Sequence, residues 1–211
     1  TYFKIVKKIQ DDPEYDEKKA KRLLRTFVEK HPAAIARKTD IMLTHFMSST
    51  INKINGKAKA MVVTRSRPHA VLYKKAFDKL IKENKYTIKT LVAFTGVVKH
   101  DEQEYTENSM NDLPSQKSIR NAFEEDQYKI LIVANKFQTG FDQPLLHTMY
   151  VDKMLNGITA VQTLCRVNRI HPNKMDNLIL YFANKTEVIQ QAFKPYYENT
   201  FLTAATDTHK L

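Results

Sequence analysis

Apolar positions in the early part of the chain recur at helical spacing, and later ones gather into short continuous runs. Ala20, Leu23, Leu24, Phe27 and Val28 share one helical face between about Asp16 and Lys30. Ile35, Ile41, Met42, Phe46 and Ile51 do the same from Ala33 to about Asn52. His31-Pro32 separates the two helices, and Pro32 suits the first turn of the second. After Gly56 five apolar runs read as strands: Ala60–Thr64, Lys89–Phe94, Lys129–Ala134, His147–Val151 and Asn177–Phe182. Amphipathic stretches lie between them. One opens at Pro68 and carries Ala70, Val71, Tyr73, Phe77, Leu80 and Ile81. A short helix is predicted over Gln116–Phe123 with Ser115 as its cap, another over Ile158–Arg169, and a last one from about Thr186 to Tyr196. Asp101–Gln116 holds five acids and no Lys or Arg, and reads as a surface loop.

Continuous apolar strands alternating with amphipathic helices predict an α/β fold, a mainly parallel sheet covered by helices on both faces. The expected division is a helical arm over residues 1–56, the α/β domain over 57–200 and a loose tail over 201–211. In such sheets ligands meet the loops at the carboxyl ends of the strands. Those loops contain Thr64-Arg65-Ser66, Thr95-Gly96, Asn135 to Asp142, and Asp152-Lys153, so polar groups collect where a site belongs.

Charge narrows the class. The 211 residues carry 34 Lys+Arg against 23 Asp+Glu, a net charge of +11, which suits a polyanionic partner such as nucleic acid. Apolar residues make up 42% of the chain, enough for a proper core. The single cysteine, Cys165, rules out an internal disulfide and is compatible with a reducing cytoplasm. No apolar run reaches membrane-spanning length. The chain begins at Thr1 and reads as a piece of a longer protein.

Several chemistries are excluded. The one Gly-Lys pair, Gly56-Lys57, has Ile51 and Ala58 where a phosphate-binding loop needs Gly and Ser or Thr, so there is no complete ATP site. One Cys and scattered His give no metal-ligand spacing, and no Gly-x-Ser-x-Gly elbow occurs. Asp12, Asp16, Glu17 and Lys18 sit at a helix start and read as a charged first turn, not as a nuclease carboxylate cluster. What remains is Gln162-Thr-Leu-Cys-Arg166-Val-Asn-Arg169. On a continuous helix, Gln162, Arg166 and Arg169 fall within about 60° of one another. Taken alone, that stripe is equally a solvated basic face or a comb of donors for phosphate oxygens.

Three stretches, in this order, resemble the second RecA-like motor domain of superfamily 2 helicases and translocases. Ala60-Met-Val-Val-Thr-Arg-Ser-Arg67 is similar to the fourth motif, Gln138-Thr-Gly-Phe-Asp142 to the fifth, and Gln162-x-x-Cys-Arg166-x-x-Arg169 to the sixth, where Cys165 replaces the usual Gly. Lys136–Lys153, Arg166–Pro172 and Ile9–Tyr15 further resemble the motor (R) subunit of type I restriction endonucleases. That resemblance implies a RecA-like three-layer domain whose partners are double-stranded DNA, upstream RecA-like and nuclease domains, and the modification and specificity subunits.

By the same resemblance, Arg166 and Arg169 would reach the γ-phosphate of ATP, held with Mg mainly by the first motor domain, and Gln162 would orient them or the attacking water. Gly140 and Asp142 would lie near the nucleotide, and Thr64, Arg65, Ser66, Thr95 and Thr139 would hold DNA phosphates. Readings from other classes are the equivalent domain of a DNA repair or RNA helicase, and a non-catalytic RecA-like module that only binds DNA.

Overall fold

The computed structural model describes residues 31–114, 116–137, 140–183 and 187–194. The segment 2–10, the helix expected at 16–30, the tail after 201, and Ser115, Gln138 and Thr139 lie outside the described residues.

Among the described residues seven strands form, β1 Lys59–Thr64, β2 Lys89–Ala93, β3 Val98–His100, β4 Gln103–Tyr105, β5 Tyr128–Val133, β6 Leu146–Asp152 and β7 Leu178–Tyr181. Five of them make one parallel sheet in the order β2-β5-β1-β6-β7. All five match the apolar runs read from the sequence. β1, β5 and β6 are buried along their whole length, which is why those runs are continuous rather than alternating.

The helices are α1 Pro32–His45, α2 Arg67–Glu83, α3 Glu107–Asn111, α4 Ile119–Glu124, α5 Gly157–Leu164 and α6 over residues 187–194, with a π-helical turn Phe46–Thr50 continuing α1. Successive strand residues point to opposite faces, and the core divides accordingly. Ala60, Val62, Ile130, Ile132 and Tyr150 pack under α1, its π turn and α2, against Met42, Phe46, Val71, Tyr73 and Phe77. Met61, Val63, Leu131, Val133 and Met149 face Phe123 of α4, Ala160 and Leu164 of α5, and Ile189 of α6. No helix among the described residues is long and apolar enough to cross a membrane.

Residues 32–50 are tied to the sheet by a polar ladder. Alternate residues of β6 face them: Thr148 Oγ1 lies 2.9 Å from Thr50 Oγ1, Tyr150 OH 2.8 Å from His45 Nδ1, and Asp152 Oδ1 2.6 Å from Lys38 Nζ. The strand period of two thus meets a helix running the opposite way.

Three local expectations are corrected. Asp101–Gln116 is not an irregular loop: β3 and β4 pair as a hairpin turning at Asp101-Glu102, both at positive φ, and α3 follows. Thr106 and Ser109 form a capping box, with Glu107 in the first turn of α3. The helix expected from Gln116 begins at Ile119, capped by Ser118, whose Oγ accepts from Asn121 N at 3.1 Å. The helix expected to reach Arg169 ends at Leu164 with Cys165 as its C-cap. There the chain tightens through Val167 N to Leu164 O and Asn168 N to Cys165 O, and Val167 stays buried in the core.

Edge strand β2 is closed by a side chain. Asn111 Oδ1 accepts from Val92 N and its Nδ2 donates to Val92 O, both at 2.7 Å, so an amide continues the ladder where a strand is missing. Asn111→Ala leaves two buried backbone groups unmet and is expected to cost about 1–3 kcal/mol in urea unfolding.

At the amino end of the sheet Lys59 is fully buried. Its Nζ donates to Glu125 O at 2.8 Å and Tyr128 O at 2.7 Å, and sits 5.0 Å from the Phe123 ring centroid. Burial, then the charge of Lys129, pushes its pKa down to about 8, and Asp126 offsets part of this. A base whose pKa is lower folded than unfolded favours the fold above the unfolded value, and that contribution is lost as pH falls toward 8. Stability is therefore expected to rise from pH 8 to 10 by on the order of 1 kcal/mol from this group, after discounting for screening. Urea midpoints across that range should rise less steeply in Lys59→Met.

Candidate functional site

In a parallel sheet every strand ends on the same edge, so the loops after β1, β2, β5 and β6 are neighbours by topology. Side chains join them into one rim. Arg67, at the start of α2, donates from Nη1 to Thr95 O at 2.9 Å, linking the loops after β1 and β2. Gly96 beside it has φ +75°, a backbone conformation that calls for glycine, and a Cβ there would stand 3.0 Å from Arg67 Nη1. Lys136 pairs with Glu107 at 2.7 Å, while Glu107 Oε1 also accepts from Phe94 N at 3.0 Å, linking the loops after β2 and β5. Lys153 Nζ reaches Asn135 Oδ1 at 2.8 Å and links the loops after β5 and β6.

Three guanidinium groups reach the loop Gly140–Asp142. Arg166 Nη1 donates to Phe141 O at 3.1 Å, and Arg169 Nε pairs with Asp142 Oδ1 at 3.1 Å. From the other side Arg120 Nη2 donates to Gly140 O at 2.9 Å. Phe141 is buried, with its ring 4.9 Å from Phe137 and 6.2 Å from Phe123. That buried ring fixes the loop while its flanking residues stay at the surface: Asp142 is 67% and Arg169 43% exposed as side chains.

The comb expected on one face of a continuous helix does not form, because the helix ends before either arginine. Gln162 is exposed on α5, one helical turn before the C-cap, and the two arginines follow the end of the helix. They meet at the Gly140–Asp142 loop instead of on a helical face. Arg166 is half-buried, whereas Arg169 and Asp142 form a pair open to solvent. Such a pair contributes little to stability. Cys165 is exposed at the C-cap.

The residues expected to face DNA divide into groups. Thr64 is buried, and its hydroxyl donates to Val133 O at 3.0 Å, so it is engaged inside the fold. Arg65 is half-buried at the same turn. Ser66 is the N-cap residue of α2, and its Oγ lies 2.8 Å from His69 Nδ1. Thr95 is exposed on the rim, with its carbonyl held by Arg67. Thr139 lies outside the described residues.

Sequence reasoning missed Arg67 and Arg120. Arg67 had one available signal, its place at the first turn of a helix beside a strand end. Arg120 had none, since only the folded chain brings α4 to residue 140. Among the described residues no three His, Cys, Asp or Glu side chains cluster to hold a metal ion.

The fold and its rim define a parallel α/β domain that gathers arginines at the carboxyl edge of its sheet. Residues 99–184 match the family described as type I restriction enzyme subunit R domain 3. Two relatives from Methanocaldococcus jannaschii are named as endonuclease subunits of the type I restriction enzymes MjaVIIP and MjaVIIIP. The first is 31% identical over 160 residues, which is 67% of this chain and 14% of that protein. The second is 30% identical over 183 residues, 81% of this chain and 17% of that protein. Among solved structures, an HsdR fragment of a type I restriction enzyme from Vibrio vulnificus YJ016 is 16% identical, with a TM-score of 0.47, over 80% of this chain and 30% of that one. The chain is thus a homologue of type I restriction enzyme endonuclease subunits, spanning about a sixth of the length of these relatives.

Proposed function

We propose that this chain is the second RecA-like motor domain of the R subunit of a type I restriction enzyme, part of an ATP-hydrolysing DNA translocase that works in the cytoplasm. The observation that carries the reading is the meeting of Arg166 and Arg169 at the Gly140–Asp142 loop, which joins the fifth and sixth motif stretches in space. A site that gathers arginines but has no phosphate-binding loop suits one lip of a cleft between domains.

The donor set fits a nucleotide's phosphate. Two guanidinium groups at a surface loop present charged donors to oxygens that gain negative charge in the transition state. With its Nε on Asp142, Arg169 would present its Nη groups to the γ-phosphate, Arg166 would hold the loop and add charge, and Gln162 would orient the arginine or the attacking water. ATP with Mg would supply the phosphoryl group and its charge neutralisation, and the first motor domain would hold most of both. Gly140 and Asp142 lie beside the nucleotide in this arrangement.

Arg65, Ser66, Thr95 and Thr139 contact the backbone of double-stranded DNA, with Thr64 supporting their turn from inside. Phosphate contacts of this kind carry no base readout, which suits a pump whose specificity lies in a separate subunit. The upstream motor and nuclease domains and the modification and specificity subunits complete the assembly. Its endonuclease activity lies outside this chain.

The test uses the 211-residue chain alone. It is expected to show no ATP hydrolysis with or without DNA, and weak DNA binding that falls steeply with salt, in keeping with its net charge of +11. Robust hydrolysis by the isolated chain would contradict the half-site.

A further inference from the structure

We propose that Arg120 is a positioning residue for the nucleotide-facing loop, holding Gly140–Asp142 so that Asp142 presents Arg169 to the cleft; this rests on the function proposed above. Three contacts from one short helix converge on the loop. Arg120 donates to Gly140 O at 2.9 Å, its guanidinium carbon stands 5.9 Å from the Phe141 ring centroid, and Phe123 of the same helix packs on that ring. The opposite side is held by Arg166 on Phe141 O. Successive carbonyls, those of Gly140 and Phe141, are thus gripped by guanidinium groups from two different elements, and the next residue, Asp142, carries Arg169.

Gly140 has φ +66°, so its carbonyl direction depends on a backbone conformation open to many alternatives in glycine. A charged donor fixed on that carbonyl selects one of them. Arg120 itself is exposed, and its loss leaves Phe141 buried between Phe123 and Phe137. The expected consequence is a displaced loop in a folded domain. Lysine can supply a donor at this position but not the planar group that also faces the ring.

The test is DNA-stimulated ATP turnover by the complete R subunit. Arg120→Ala is expected to lower kcat about 10-fold with KM for ATP within about twofold, since misplacement of a transition-state group acts on the chemical step. Arg120→Lys should fall between the two, and thermal melting should not move. A double-mutant cycle with Asp142→Asn separates positioning from general damage. If Arg120 acts through this loop, the two losses combine to much less than their product, whereas independent damage multiplies. Wild-type turnover in Arg120→Ala, or a fully multiplicative cycle, overturns the proposal. Should Arg120→Ala melt early, Arg120→Lys carries the same comparison. Arg169→Ala serves as control: a collapse there with no effect at Arg120 overturns this inference alone, and no effect at Arg169 overturns the function on which it rests.

Discussion

Arg169→Ala in the complete R subunit is expected to lower DNA-stimulated ATP turnover about 1000-fold while DNA binding and folding persist. Arginines that neutralise a transferring phosphoryl group contribute about 10³ to 10⁵ in rate, and the lower figure corresponds to about 4 kcal/mol of transition-state stabilisation. Stability has little to lose at this position. Arg169 is 43% exposed and its partner Asp142 is 67% exposed, so their ion pair lies in the range where surface pairs contribute about 0–1 kcal/mol. Arg166 is different. It is half-buried and donates to Phe141 O, so Arg166→Ala is expected to lower turnover and also loosen the loop. Turnover and melting temperature measured on both variants distinguish a group that acts on the reaction from one that also holds the fold.

Asp152→Ala is expected to cost about 2–4 kcal/mol of unfolding free energy, the largest stability loss from one polar substitution in the described residues. Asp152 is buried at the end of β6, where it accepts from Tyr73 OH and from Lys38 Nζ, both at 2.6 Å. Burial, and then the charge of Asp152, pushes the Tyr73 phenol far above its ordinary range, so this hydroxyl always donates. Without the carboxylate it is a buried donor with no acceptor, which costs about 1–3 kcal/mol. Lys38 loses its partner too, but its side chain is 23% exposed and can turn to water. Asp152→Asn keeps an acceptor and should lose roughly half as much. Urea titrations of the three proteins measure the difference. A change below about 0.5 kcal/mol for Asp152→Ala would show that this contact does not anchor residues 32–50 to the sheet.

The three inner strands, β5, β1 and β6, were the most legible because they are buried on both faces. A parallel strand under two layers of helix cannot alternate apolar and polar residues, so each wrote itself as a run such as Ile130-Leu-Ile-Val133. From five such runs the strand-end loops followed, and with them Arg65, Ser66 and Thr95. Helix ends were harder. The Ile158–Arg169 stretch has helical spacing throughout, yet the helix ends at Leu164 with Val167 still buried in the core, and no local pattern separates that from one more turn. The hairpin β3–β4 was also hidden, because its turn residues Asp101 and Glu102 adopt positive φ without any glycine. Arg120 could not be found from the chain, and Asp152, expected in a strand-end loop, showed no sign of its anchoring role, since each owes its place to a partner more than a dozen residues away. The kinship to type I restriction enzyme endonuclease subunits was readable, and the contacts that bring Arg120, Arg166 and Arg169 to the Gly140–Asp142 loop were not.

One measurement addresses the half-site directly. The complete R subunit is irradiated with ATP bearing a photoreactive group on its γ-phosphate, in the presence of DNA, and the labelled peptides are mapped. Label is expected on the stretch Gln162–Arg169 together with the phosphate-binding loop of the first motor domain, and Arg169→Ala should still crosslink there while turnover falls. Label confined to segments outside this chain, at concentrations that support full ATP turnover, would contradict an ATP site completed by Arg166 and Arg169.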